Sequence, residues 1–126
     1  MIDVRFDRPA GVSVSWVKDV VSTTLKKERS RLSLSILITG DRRIRGINKR
    51  YLRHDYATDV ISFSTGDIVV SADTAKRMAK KLGLPFREEL ARYLVHGALH
   101  LLGYDDKKTK DRNRMHKRQE SILGSL

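Results

Sequence analysis

The chain has 126 residues, no cysteine, and a formal net charge of +11 from 26 Lys and Arg against 15 Asp and Glu. That length supports one domain with a real core. The missing thiols exclude a disulfide scaffold and a thiolate metal site, so a transition metal would be held by His and carboxylate. The charge favours a polyanionic partner, RNA ahead of DNA and anionic membrane, and no stretch approaches the ~20 apolar residues of a membrane span.

Residues 2–6 alternate like a strand and lack the apolar core and small-residue cleavage site of a signal peptide, so a cytoplasmic location is expected. Residues 12–28 predict a helix, with Trp16, Val17, Val20, Val21 and Leu25 at helical spacing. Residues 31–39 alternate and then turn fully apolar, as a strand entering a core does, and Gly40 ends them. A short basic helix is predicted over 42–52, its apolar positions being Ile44, Ile47 and Tyr51. Strands over 59–64 and 67–71 are joined tightly through Thr65-Gly66. A helix over 73–82 carries Ala75, Met78, Ala79 and Leu82 on one face. Pro85 opens a longer helix over 86–102, which Gly103 ends, and a basic amphipathic helix over 107–124 carries Met115, Ile122 and Leu123. The order β-α-β-α-β-β-α-α-α predicts an α/β (α+β) fold in one domain, with a mixed sheet of about four strands packed against helices.

His96 and His100 stand four residues apart on the 86–102 helix, so both imidazoles project from one face and can reach one ion. Gly103 breaks the helix, and Asp106 follows closely enough for its carboxylate to swing back. Two His and one carboxylate leave coordination positions open, the pattern of a catalytic zinc site. Such a pair also arises by chance. Here Leu94, Val95, Leu99, Leu101 and Leu102 surround it, and imidazoles on a buried helix need partners that a metal supplies. Gly97 stands where a zincin carries its general-base Glu, so a peptidase mechanism lacks its proton acceptor. Glycine there also suggests close approach by another backbone or by substrate.

The run His96-Gly97-Ala98-Leu99-His100-Leu101-Leu102-Gly103-Tyr104-Asp105 resembles the signature of the YbeY family of ribosomal RNA maturation endoribonucleases. Two further blocks resemble it in the family's order. One is Asn48, Tyr51, Asp55 and Thr58-Asp59-Val60-Ile61-Ser62-Phe63; the other is Gly66-Asp67-Ile68-Val69-Val70-Ser71. The resemblance implies one zinc ion and hydrolysis of single-stranded RNA. It also implies a role in small-subunit ribosomal RNA maturation and ribosome quality control, with ribosomal RNA and the small ribosomal subunit as partners. The family's third metal His falls on Asp106, and its phosphate-contacting Arg falls on Leu52, with Arg53 one place later. Two family prolines in the middle block are Ala57 and Ser64 here.

The expected mechanism has His96, His100 and Asp106 as metal ligands and Arg53 neutralising the scissile phosphate with its fork of donors. His100 and Arg53 are thus the residues expected to carry catalysis, and no general base is assigned. Asp55 and Asp59 flank Thr58 and read either as supports for the site or as turn and strand-start caps. Arg42, Arg43, Arg45, Lys49 and Arg50 crowd the short helix, and Lys107 and Lys108 open the last, basic one. Such clusters bind phosphates without reading sequence, and their affinity falls as salt rises. Tyr51 and Tyr104 are the available stacking rings. Two other readings remain. One is a weakly active or non-catalytic RNA- or ribosome-binding module with the same fold, to which Leu52 and Asp106 lend support. The other is a metal hydrolase for a small molecule or peptide, which explains the ligands but not the charge.

Overall fold

The computed structural model describes residues 1–126. Strands β1 (Ile2–Phe6), β2 (Leu34–Thr39), β3 (Val60–Phe63) and β4 (Asp67–Ser71) form one mixed sheet in the order β1-β2-β4-β3. The β1–β2 and β2–β4 pairs are parallel, and β3 runs antiparallel along the outside of β4. Five α-helices accompany them: α1 (Val14–Lys27), α2 (Asp41–Ile47), α3 (Ala72–Leu82), α4 (Phe86–Leu101) and α5 (Thr109–Leu123). No helix is long and apolar enough to cross a membrane.

Side-chain alternation assigns the two sheet faces. Ile36, Ile38, Ile68 and Val70 point into the main core, against Val17 and Val21 of α1 and Leu90, Leu94 and Leu99 of α4. Met115 and Ile122 of α5 close the same core. Val69 and Ile61 face the other way and are capped by Ile44 of α2, with Leu37 packed beside them. β2 and β4 thus have apolar cover on both faces, which is why their sequences turn almost continuously apolar.

Four sequence expectations are corrected. β2 starts at Leu34, not 31, because its partner β1 starts at Ile2 and a strand extends only as far as its ladder; the Leu34 N–H takes the Met1 carbonyl at 3.0 Å. The basic helix does not run regularly through 42–52. After Ile47 it widens into a π-helical turn, Asn48–Leu52. Buried Asn48 donates Nδ2–H to the Tyr56 carbonyl at 3.0 Å, and Arg53 closes the turn with φ 60°. This swings Tyr51 off the core, 60% exposed, with its ring edge-on to Phe63. Leu82 is 54% exposed, because the buried positions of α3 are Ala72, Ala75 and Ala79. The β3–β4 link is the three-residue loop 64–66, where Gly66 takes φ 95° and returns its N–H to the Phe63 carbonyl at 2.9 Å.

Candidate metal centre

α4 carries two of the three candidate ligands, and its depth in the fold positions them. Leu90, Leu94 and Leu99 are fully buried, so the helix cannot roll without opening the core. Gly97 sets how closely it lies on the sheet. A Cβ there would stand 3.0 Å from Cγ2 of both Val60 and Ile68, so glycine lets α4 settle against β3 and β4. The Ser62 hydroxyl of β3 donates to the Gly97 carbonyl at 2.8 Å and ties the two elements at the turn between the histidines.

The end of α4 directs the third ligand. Gly103 adopts φ 99°, its N–H bonds the His100 carbonyl, and the Tyr104 N–H bonds the Leu99 carbonyl, each at 3.1 Å. This Schellman arrangement reverses the chain. Arg112 Nε–H donates to the Asp106 carbonyl at 3.2 Å, and the Lys107 N–H bonds Asp105 Oδ1 at 3.0 Å, fixing the returning loop. Asp106 Oδ2 comes to 3.3 Å from His100 Nε2 and 3.8 Å from His96 Nε2. The three donor atoms lie within 4.8 Å of one another.

Hydrogen bonding on the far side of each ring selects its tautomer. Gln119 Nε2–H donates to Glu120 Oε2 at 3.0 Å, since a carboxylate only accepts. That turns Gln119 Oε1 towards His96 Nδ1, 2.7 Å away, and an amide oxygen likewise only accepts. His96 therefore carries its proton on Nδ1. His100 Nδ1 faces the Tyr104 carbonyl at 3.1 Å, so it too holds the proton there. When both rings are neutral, two Nε2 lone pairs and a carboxylate oxygen face one point. Three electron-pair donors that converge without an N–H or O–H among them suit a cation. Donors bonded to one tetrahedral zinc at about 2.1 Å lie about 3.4 Å apart, close to the two His–Asp separations here. The donor set fits a zinc ion.

Gln119 was not visible to sequence reasoning. A signal existed: it is a polar side chain on the buried stripe of α5 with Met115 and Ile122, only 5% exposed. Behind it, Arg92 of α4 grips Glu120 with two bonds of 3.0 and 3.1 Å and also reaches buried Glu89 at 2.7 Å. The Arg92 guanidinium holds the Glu120 carboxyl below its usual range, outweighing the burial that would raise it.

An open cleft of about 590 Å³ lies beside the cluster, between His100 and Leu101 of α4, the edge strand β3, and the segment from Asn48 to Thr58. A family model described as Endoribonuclease YbeY matches residues 10–126.

The chain belongs to the YbeY family. Relatives that carry the name Endoribonuclease YbeY include one from Aquifex aeolicus, 40% identical over 75% of this chain and 69% of its own length. Another, from Persephonella marina, is 35% identical over 91% of this chain and 84% of its own. A third, from Myxococcus xanthus, is 43% identical over 77% of this chain but only 37% of its own length. The match to an Anaeromyxobacter relative likewise spans about half of that protein, 54%. A Thermotoga maritima protein solved in solution shares the fold, with TM-score 0.73, 23% identity, and coverage of 98% of this chain and 87% of that one.

The structure brings together His96, His100 and Asp106 of this YbeY chain but not Arg53. Leu52 and His54 line the cleft, and exposed Arg53 between them, with φ 60°, does not. The basic clusters also part company. Arg42, Arg43 and Arg50 line a separate groove on the α2 face of the sheet, where Arg43 pairs with Asp7 at 3.1 Å. Arg45 pairs with Asp55 at 2.8 Å, with Lys49 4.0 Å from the same carboxylate. Lys107 and Lys108 follow Asp106 on the exposed approach to α5. Asp59 caps the start of β3, its Oδ1 accepting the Val60 N–H at 2.7 Å. Both Asp55 and Asp59 thus serve the backbone and surface rather than the ligands.

Proposed function

We propose that this YbeY chain, acting as one domain, is a zinc-dependent endoribonuclease that cuts single-stranded RNA in the cytoplasm, in small-subunit ribosomal RNA maturation and quality control. The observation that carries the reading is the convergence of His96 Nε2, His100 Nε2 and Asp106 Oδ2 beside a cleft open to substrate. A single zinc ion held by these three residues would supply Lewis acidity to a phosphoryl oxygen and lower the pKa of a water.

The chain's own residues do the rest. Gln119 and the Tyr104 carbonyl hold both imidazoles in the ligating tautomer. Asp106, in place of a third imidazole, brings a negative charge that tempers the ion's Lewis acidity and raises its affinity for hard cations. Lys107 and Lys108 follow Asp106 in the ligand loop, and exposed Arg53 lies in sequence between the cleft residues Leu52 and His54. There they attract phosphates flanking the scissile one. The groove with Arg42, Arg43 and Arg50, and the exposed Arg45 and Lys49, extend the positive surface for ribosomal RNA and the small ribosomal subunit.

The test is cleavage of a single-stranded ribosomal RNA fragment, with its duplex as control, before and after chelation and zinc restoration. The reading predicts single-strand cleavage that chelator removes and zinc restores. RNA binding with no cleavage at any zinc level would reduce the protein to a binding module.

A further inference from the structure

No lysine or arginine lines the cleft beside the ligand cluster. A phosphodiester entering it needs other donors for its non-bridging oxygens. The long wall of the cleft is β3, the free edge of the sheet. Residues of an antiparallel strand alternate between facing their partner and facing away. The Ser71 N–H bonds the Asp59 carbonyl and the Gly66 N–H bonds the Phe63 carbonyl, both at 2.9 Å, so residues 59, 61 and 63 face β4. Val60 and Ser62 therefore point their main-chain groups outward, and both line the cleft. Asp59 Oδ1 already occupies the Val60 N–H. The Ser62 N–H is left aimed outward with no such cap.

Ser62 is also tied to α4. Its hydroxyl is anchored to the Gly97 carbonyl at 2.8 Å, on the turn of α4 between His96 and His100. We propose that the Ser62 main-chain N–H donates to a non-bridging oxygen of the scissile phosphate in single-stranded RNA. The inference rests on the nuclease reading above and names a substrate contact within it. An N–H fixed before substrate arrives needs no reorganisation as negative charge builds, which is the property of an oxyanion-hole donor. It supplies a donor on a wall that Arg53 does not line. A peptide added as a fifth strand would need a row of free edge groups, and the four residues of β3 with the Val60 N–H already taken leave too few.

The direct test replaces the Ile61–Ser62 amide by an ester, removing that N–H and keeping the serine side chain. At zinc content equal to wild type, kcat for single-stranded RNA should fall about 10²-fold, as loss of one oxyanion donor does. A second measurement uses the unmodified protein and RNA with sulfur at either non-bridging oxygen of the cleaved phosphate. One stereoisomer should be slowed and relieved when cadmium replaces zinc; the other should be slowed and not relieved, because its sulfur meets an N–H. An ester variant as fast as wild type, or no cadmium-insensitive sulfur effect, overturns the inference and leaves the nuclease reading standing. Failure of wild type to cleave RNA at all overturns that reading, and the Ser62 contact with it.

Discussion

Gln119 Oε1 lies 2.7 Å from Nδ1 of His96, across 23 residues of sequence. The contact ties α5 to the candidate metal cluster, because the amide is itself oriented by Glu120 and Glu120 by Arg92 of α4. Gln119→Leu should weaken zinc binding about 10–100-fold, the usual effect of removing a partner behind a ligating His. Gln119→Glu keeps an acceptor for His96 but loses the bond donated to Glu120 and faces it with a like charge, so it should retain only part of the affinity. Competitive zinc titration measures both, and nitrogen NMR of His96 reads the tautomer. Equal affinity in wild type and the leucine variant would remove α5 from the account.

Gly97 makes the opposite kind of prediction, one about space. A valine side chain there would collide with Val60 and Ile68, whose Cγ2 atoms already stand 3.0 Å from a notional Cβ. Gly97→Val should therefore destabilise the fold by about 1–3 kcal/mol, the range for overpacking a tight site. It should also push α4 off β3, stretching the Ser62 tie. Denaturant unfolding checks the first effect, and an unchanged midpoint would contradict the packing argument.

The Glu120 carboxyl sits below its ordinary range because Arg92 stabilises the charged form. A depressed carboxyl contributes stability that is complete above its unfolded pKa, about 4.3, and is lost as pH falls through the folded value. Glu120→Gln should thus melt below wild type at pH 7, and the gap should close as pH drops below the glutamate range. Melting curves from pH 7 to pH 3 test this; a gap that widens in acid would reverse the sign.

Arg53 lies outside the cleft wall, so its removal should act on encounter rather than on chemistry. Arg53→Ala should raise KM for single-stranded RNA and lower the salt slope of binding by about 1, while kcat stays within a few-fold of wild type. A collapse of kcat with KM unchanged would return Arg53 to the scissile phosphate.

The three positions of the candidate metal cluster were legible in the sequence because their geometry is local. His96 and His100 need only one helix, and Asp106 needs only the glycine turn that follows it. Gln119 was not legible, since no spacing rule says which residue of α5 will face α4. The surroundings of Arg53 were not legible for a related reason. Arg53 closes a π turn in which buried Asn48 bonds the Tyr56 carbonyl, and periodicity does not announce a π turn. Element order was readable from periodicity. The insertion of β4 between β2 and β3 was not, because either strand of the β3–β4 hairpin could lie beside β2 after the α2 connection.

The central claim is that His96, His100 and Asp106 hold one metal ion. It is tested most directly by zinc bound per chain after equilibrium dialysis, compared between wild type and a His100→Ala variant shown to be folded by its melting transition. The account predicts one zinc per wild-type chain and its loss from the variant. Wild-type chains that emerge without zinc, or a variant that keeps a full equivalent, would contradict it.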